Sequence, residues 1–432
     1  MEKTVSHTVC NDSGQTFKTG QLSIALNCRG SNAYTKLSYP IKYGIFSRLE
    51  TQDHLFEFNL NHEIRHAKAK TRDWPHPSEW LKRTLGNDWI YYSSGGYAGV
   101  YEAIGEYYLP NFTYPTNAVI GGKPFNEPPV ETIVNHWPDL LDKIPSTGLP
   151  DRFTKWLNRV KQIDAGTLKK KADRLFGING TRVTVLPPDA RHVDYNVIPL
   201  TISDGCLYKC RFCRIKNQKP FSARSYADIS GQIRELKDFL GDDLINYNAL
   251  FLGEHDALNA PENLILDTIQ EAVREFNFKG SYMKDRYLFM FASADALIDK
   301  KTAFFDRLNR LDMTLFINVG LESSDPETLD RIGKPTPPEK IRAAFERGKA
   351  VNAGFSNIEV SFNFIMDDTL ASGHHDSMIR LIRDSVSRPV SKGTVYLSPL
   401  RFDRPSRQVL YDFYKIKSLS RFPAFLYIIQ RL

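Results

Sequence analysis

The stretch Asp204-Gly205-Cys206-Leu207-Tyr208-Lys209-Cys210-Arg211-Phe212-Cys213 sets three thiols at spacings of four and three residues. It follows directly on a short apolar run, Asn196–Ile202. Five more such runs recur downstream, at Ala249–Leu252, Leu288–Ala292, Leu315–Val319, Val360–Ile365 and Val395–Leu397. Between them lie apolar residues at helical spacing, among them Ile233, Leu236 and Leu240, then Ile265, Ile269, Ala272, Val273 and Phe276, then Ile341, Ala344 and Phe345. Thr336-Pro337-Pro338-Glu339, ahead of the last set, has the form of a capping box with Pro at the first helical position. A strand-helix repeat requires a parallel sheet, because each crossover between parallel strands takes a helix. Residues 191–400 are therefore expected to form an open or barrel-like α/β domain, with ligands at the carboxyl ends of its strands. The thiols sit at that end of the first strand.

Outward from this core, residues 1–190 read as an α+β accessory domain. Apolar alternation marks strands at Leu22–Cys28, at Tyr39–Ile45 and at Phe56–Ile64, the last two joined across Glu50–Asp53. Phe153, Trp156, Leu157 and Val160, then Leu168, Ala172, Leu175 and Phe176, fall at helical spacing, and Gly177 and Gly180 stop the second helix. His62-Glu63-Ile64-Arg65-His66 matches the zinc-protease pattern H-E-x-x-H, which needs a helix to bring its histidines together. Here the alternation from Phe56 to His66 is that of a strand, which separates residues four apart by about 13 Å. The aromatic residues from Trp89 to Tyr114 read as core and hairpin packing in preference to a stacking platform. Residues 401–432 form a basic, aromatic tail with seven Lys or Arg against two Asp. It is expected to cover the open side of the barrel.

Composition sets outer limits. The chain has 432 residues and 57 basic against 50 acidic side chains, a net +7 that permits a polyanionic partner without requiring one. No apolar run approaches the ~20 residues of a membrane helix, and the start carries no apolar signal core. No transmembrane segment and a cytoplasmic location are expected. Five cysteines, three of them within eight residues, suit metal binding in a reducing compartment and not a disulfide framework.

Three thiols on one compact loop can wrap one face of an iron–sulfur cube. Three ligands for four irons leave one iron open to a small molecule. A zinc site would need a fourth ligand, and the nearest histidines in sequence, His192 and His255, lie outside the loop.

The Cys-x3-Cys-x2-Cys loop after the first strand of a β/α repeat resembles the radical S-adenosylmethionine (SAM) superfamily, over roughly residues 195–400. The resemblance implies that residues 191–400 form an α/β, partial TIM-like (β/α)6 barrel, that Cys206, Cys210 and Cys213 hold a [4Fe–4S] cluster whose fourth iron chelates S-adenosylmethionine, and that Phe212 lies against the adenine. Leu252-Gly253-Glu254 is similar to the superfamily's Gly-Gly-Glu, which makes Gly253 and Glu254 contacts of the methionine amino group. Gly320-Leu321-Glu322-Ser323 is similar to a segment of the branch that holds anaerobic coproporphyrinogen dehydrogenases, methylthiotransferases and the elongator catalytic subunit. It marks Glu322 as a cofactor contact, and Ser293 is another by its place at the end of the third strand. Ser324–Glu327 has the form of a capping box as well.

The implied chemistry is reductive cleavage of S-adenosylmethionine to a 5′-deoxyadenosyl radical that takes hydrogen from a substrate, fed by a reductant such as flavodoxin or ferredoxin. An unidentified small metabolite, lipid or cofactor precursor is preferred as substrate. RNA modification, with nucleic acid as a less favoured partner, is the alternative, and a zinc-stabilised binding module is the alternative without catalysis. With only Cys10 and Cys28 outside the loop, an auxiliary cluster is not expected, and no Asp-x-His-x-x-Gly marks a cobalamin module.

Overall fold

The computed structural model describes residues 14–34, 43–75, 77, 79–92, 107–108, 124–193, 196–213, 219–400 and 407–427. The N-terminal part is an eight-stranded antiparallel meander in which each strand pairs with the next. Its strands are β1 (Gln15–Thr19), β2 (Leu22–Arg29), β3 (Ile45–Glu50), β4 (His54–Phe58), β5 (Ile64–Ala69), β6 (Trp80–Arg83), β7 (Trp89–Tyr92) and β8 (Tyr107–Tyr108). Helices α1 (Pro128–Asp142), α2 (Asp151–Lys161) and α3 (Ala165–Asn179) cover one face. Phe56, Phe58 and Leu81 from the sheet pack there with Val130, Trp137, Trp156 and Leu157. Asp164 caps α3 by accepting from Thr167 N at 2.7 Å, and Gly180, at φ +72°, ends it. Gly177 lies inside the helix.

Two readings of this half change. The strand expected at Tyr39–Ile45 lies mostly outside the described residues, and β3 begins only at Ile45. The single strand expected through Phe56–His66 is a hairpin: β4 ends at Phe58, β5 starts at Ile64, and His62 turns the chain at φ +66°. His62 is thus in a turn. His66 is on β5, its Nδ1 3.4 Å from Glu57 Oε2, and burial drives its pKa down to about 4 despite that carboxylate.

The second half is a seven-stranded sheet, parallel throughout, in the spatial order β17-β16-β15-β14-β13-β12-β9. Its strands are β9 (Ile198–Pro199), β12 (Ala249–Phe251), β13 (Tyr287–Ala292), β14 (Thr314–Glu322), β15 (Ile358–Met366), β16 (Val395–Pro399) and β17 (Ala424–Leu426). The seventh comes from the tail and adds to the six read in the sequence. A small ribbon, β10 (Ser203–Asp204) and β11 (Ser222–Ala223), follows β9. The helices are α4 (Tyr226–Leu240), α5 (Glu262–Glu275), α6 (Ala294–Asp299), α7 (Thr302–Asn309), α8 (Pro326–Arg331), α9 (Pro338–Gly354), α10 (Gly373–Ile379) and α11 (Arg407–Leu419). Two expected caps shift by one residue. Asp325, not Ser324, caps α8 by accepting from Thr328 N at 2.8 Å, and α9 starts after Pro337 with no side-chain cap.

Register sorts the sheet into two faces. Leu250, Leu288, Leu315 and Ile358 align across four strands and pack under the helices. Phe251, Phe289 and Phe316 align on the opposite, inner face. That face is filled by the chain segment that leads from the accessory domain into β9: Val183, Val185, Leu186, Ala190, Val193 and Val197 pack on the three phenylalanines, Tyr396 and Tyr427. Asp189, 1% exposed in this strap, accepts from Ser361 Oγ at 2.7 Å and from Tyr396 OH at 2.9 Å, with Asn318 Nδ2 at 3.5 Å. Its carboxylate thus gathers donors from three successive strands.

The accessory sheet leans on the amino ends of the barrel strands. Asn246 accepts from Ile45 N at 2.7 Å and donates to Ile45 O at 2.9 Å, while Asn61 Nδ2 donates to Leu240 O at 2.7 Å. Among the described residues no helix is long and apolar enough to cross a membrane.

Candidate active site

The three cysteines follow β10. Gly205, at φ +69°, lets the chain turn sharply past its return strand, where a Cβ would lie 2.2 Å from Pro220 O. Cys206 N then donates to Lys219 O at 3.3 Å, so the loop stands on a ribbon. Arg224 clamps the base: its Nε and Nη2 each donate to the Asp204 carboxylate at 2.8 Å, and Nη2 reaches Asn179 O at the end of α3. The Arg224 hydrogen bonds hold the Asp204 carboxyl below its usual range.

The loop lies against the carboxyl ends of neighbouring strands. Tyr208 bonds to Asp295, which also pairs with Lys340, and Asp295 N donates to Tyr208 OH at 3.3 Å. Burial pushes the Tyr208 phenol up to about 12. Arg211 N donates to Ile332 O at 2.8 Å, at the carboxyl end of α8. Gly333 follows at φ +65°, with the Arg211 side chain packed on its Cα: a Cβ there would meet Arg211 Cγ at 2.7 Å. Within the loop, Tyr208 N lies 3.5 Å from Cys206 Sγ as a donor, and Cys213 N closes a turn on Cys210 O at 3.2 Å.

Cys210 is buried, whereas Cys206 and Cys213 are half-buried. Burial pushes the Cys210 thiol up to about 11. Of the charges around its sulfur, that of Lys334 acts most strongly and favours the thiolate; those of Glu322, Cys213 and Cys206 oppose it. Cys210, Lys334 and Glu322 thus share one electrostatic neighbourhood. Lys334 Nζ stands 4.0 Å from Glu322 Oε1, donates to Gly320 O at 2.8 Å and lies 5.0 Å from the Tyr208 ring centroid. Among the described residues no three His, Cys, Asp or Glu side chains are drawn close enough to hold a single metal ion. The donor set does fit a thiolate-bound cluster: three thiols, an N–H aimed at one sulfur and a buried ammonium whose charge favours the thiolate of another.

The remaining expected residues lie at the strand ends. Gly253, at φ +89°, turns the chain after β12, close over Thr201. Glu254 is 3% exposed, and its Oε2 accepts from Thr184 N at 2.9 Å, Thr184 Oγ1 at 3.0 Å and Val185 N at 3.2 Å, all on the strap. Ser293 caps α6, accepting from Ala296 N at 3.1 Å, while its own N donates to Asp256 Oδ1 at 2.8 Å. Glu322, at φ +68°, ends β14 after a register shift, and Phe212 packs half-buried on the edge of the barrel core. Sequence reasoning missed Tyr208, Arg211, Gly333, Lys334 and Thr184. A Gly-Lys pair soon after Glu322 was the one signal in the sequence.

A parallel half-barrel that carries a thiol-bearing loop at the carboxyl ends of its strands defines a cofactor-binding α/β domain. Residues 200–368 match the profile of the radical SAM superfamily, and this part of the chain is a radical SAM domain, an enzyme domain for which the match fixes no reaction. No curated protein matches the chain in sequence.

Solved structures similar to it include a radical SAM methyltransferase from Sphaerobacter thermophilus, at 16% identity and TM-score 0.36, covering 54% of this chain and 65% of that one. SuiB of Streptococcus suis is similar at 11% identity and TM-score 0.35, covering 82% of this chain and 71% of that one. Methylornithine synthase (PylB) is similar at 13% identity and TM-score 0.31, covering 63% and 69%. The chain thus spans less than two thirds of the methyltransferase.

Proposed function

We propose that this chain is a radical SAM enzyme that binds a [4Fe–4S] cluster through Cys206, Cys210 and Cys213 and S-adenosylmethionine next to it. When bound, the pair supplies a 5′-deoxyadenosyl radical that takes a hydrogen atom from the substrate. The observation that carries this reading is the docking of the three-thiol loop on the helices that follow β13 and β14, through Tyr208 to Asp295 and through Arg211 to Ile332.

The residues around the loop do binding and positioning. We assign cofactor contacts to Phe212, Gly253, Glu254, Ser293 and Glu322. Glu254 and Ser293 serve two ends at once, because the strap and helix α6 fix where they point. The filled inner face excludes water from beneath the site, which suits a radical that must meet only its substrate. The substrate we favour is a small metabolite, lipid or cofactor precursor presented at the mouth of the barrel. A low-potential donor such as flavodoxin or ferredoxin would supply the electron, and three clustered thiols suit a reducing, cytoplasmic setting. We take residues 1–190 as accessory domain, 191–400 as catalytic barrel and 401–432 as its cover.

Anaerobic reconstitution with iron and sulfide tests the reading. The expected result is equal iron and acid-labile sulfide in the protein, release of 5′-deoxyadenosine on adding S-adenosylmethionine and a reductant, and loss of both in Cys206→Ala, Cys210→Ala and Cys213→Ala. Zinc without sulfide, or 5′-deoxyadenosine from the triple variant, would refute it.

A further inference from the structure

We propose that Lys334 is the charge-compensating residue of the three-thiol loop, a positioning residue that makes a cluster held there easier to reduce; the proposal rests on the reading above. The side chain is only 3% exposed. A buried ammonium is costly unless anions or hydrogen bonds offset its lost hydration. Lys334 can donate three hydrogen bonds, yet among the described residues one is made, to Gly320 O at 2.8 Å. Glu322 Oε1, at 4.0 Å, is beyond hydrogen-bond reach. The ammonium thus keeps hydrogen-bonding capacity beyond Gly320 O, with Glu322 as a partial counter-charge at 4.0 Å.

What it faces is the thiol loop. Its Nζ lies 5.0 Å from the ring centroid of Tyr208, the residue midway in sequence between Cys206 and Cys210, and its own segment is bound to Arg211 through Ile332. The other cations of the loop, Lys209 and Arg211, are exposed, so water screens them. Three thiolates around an iron–sulfur cluster leave excess negative charge, and an added electron increases it. A fixed, poorly screened positive charge favours the more negative state, and net charge near a cluster is one of the levers that set its potential. The electron comes from a low-potential one-electron donor and stays on the cluster, so its net charge becomes one unit more negative and no bond changes.

The backbone keeps the ammonium in place. Gly333, at φ +65°, turns the chain so that Lys334 points inward while Arg211 packs over the turn. A Cβ at Gly320 would lie 2.6 Å from Glu322 Oε1 and so would displace that carboxylate. Gly333 thereby serves both the thiol loop, through Arg211, and the place of this one charge.

The test compares midpoint potentials in reconstituted full-length protein, read by redox titration of the cluster signal. Lys334→Gln, which keeps a donor for Gly320 O without the charge, is expected to lower the potential by about 59 mV or more, a tenfold fall in the one-electron reduction equilibrium. Lys334→Arg is expected to stay near wild type. Equal potentials in wild type and the Gln variant, both loaded with iron, overturn the proposal. Should the Gln variant not take up iron, Glu322→Gln gives the opposite charge change: a raised potential supports the proposal and an unchanged one overturns it. Wild-type protein that takes up no cluster would instead count against the proposed function.

Discussion

At Gly333 a single missing carbon joins two parts of the site that are far apart in sequence. Its φ of +65° costs most residues of order 1–3 kcal/mol, and a Cβ would also press on Arg211 Cγ at 2.7 Å. Gly148, at φ +80°, has nothing within 4 Å of the same position and so isolates the backbone cost. Gly333→Ala is expected to lower the melting temperature more than Gly148→Ala and to reduce iron uptake in reconstitution. Equal melting losses would mean that the packing of Arg211 on this turn contributes nothing. This residue also marks the limit of the sequence reading. The thiols were legible because all three lie in one short stretch. Lys334 was not, because its link to Cys210 runs through the parallel pairing that sets β9 and β14 in one sheet, and no local spacing encodes that.

At the scale of elements, the end of β14 is held by a neutral histidine. His374 is buried; its Nδ1 lies 2.8 Å from Ser323 Oγ and its Nε2 2.9 Å from Ile365 O. The backbone oxygen can only accept, so Nε2 carries the proton and Nδ1 accepts from Ser323. Burial drives this pKa down to about 4, below the 6.5 of the unfolded chain. The unfolded state therefore takes up the proton first, and stability is lost as pH falls from 6.5 to 4, by at most about 3 kcal/mol. His66 titrates in the same direction. Asp243 opposes them: burial raises it to about 6, so acid protonates the folded state first and adds stability. His374→Gln is expected to flatten the fall in unfolding free energy, measured by urea melts between pH 6.5 and 4, by about 1.4 kcal/mol per pH unit. A slope equal to wild type would reject a neutral His374.

Element types were legible where packing writes them into sequence. Parallel strands buried on both faces read as continuous apolar runs, and all six matched. The β4–β5 hairpin read as one strand because the turn from Asn59 to Glu63 keeps the alternation going, while the reversal depends on the left-handed backbone of His62. Helix α1 was missed because Pro128, Pro129 and Pro138 interrupt its pattern, and β17 because three residues after a proline carry too little period.

At the scale of the whole molecule, the strap makes the barrel interior depend on the chain that enters it. Asp189 receives donors from β15 and β16, and Tyr427 OH donates to Leu186 O at 2.5 Å. Asp189→Ala would leave those buried donors without their acceptor and is expected to cost roughly 3 kcal/mol. All five tryptophans precede residue 157, so their fluorescence reports on the accessory domain alone. The variant is nonetheless expected to lower the tryptophan melting midpoint together with that of the barrel, followed by hydrogen exchange. A fluorescence transition that stays put while the barrel loosens would show that the strap does not couple the two. No composition rule marks Val183–Val193 as an interior element, because its short apolar run is broken at once by Pro187 and Pro188.

The strap also has a place in time. A ribosome releases residues 183–193 well before β17 and Tyr427, so a nascent chain can close its barrel around a cord that is already present. A circular permutant that delivered the cord last would have to thread it into a finished wall, and slow or failed renaturation of such a permutant is the cost this chain order avoids.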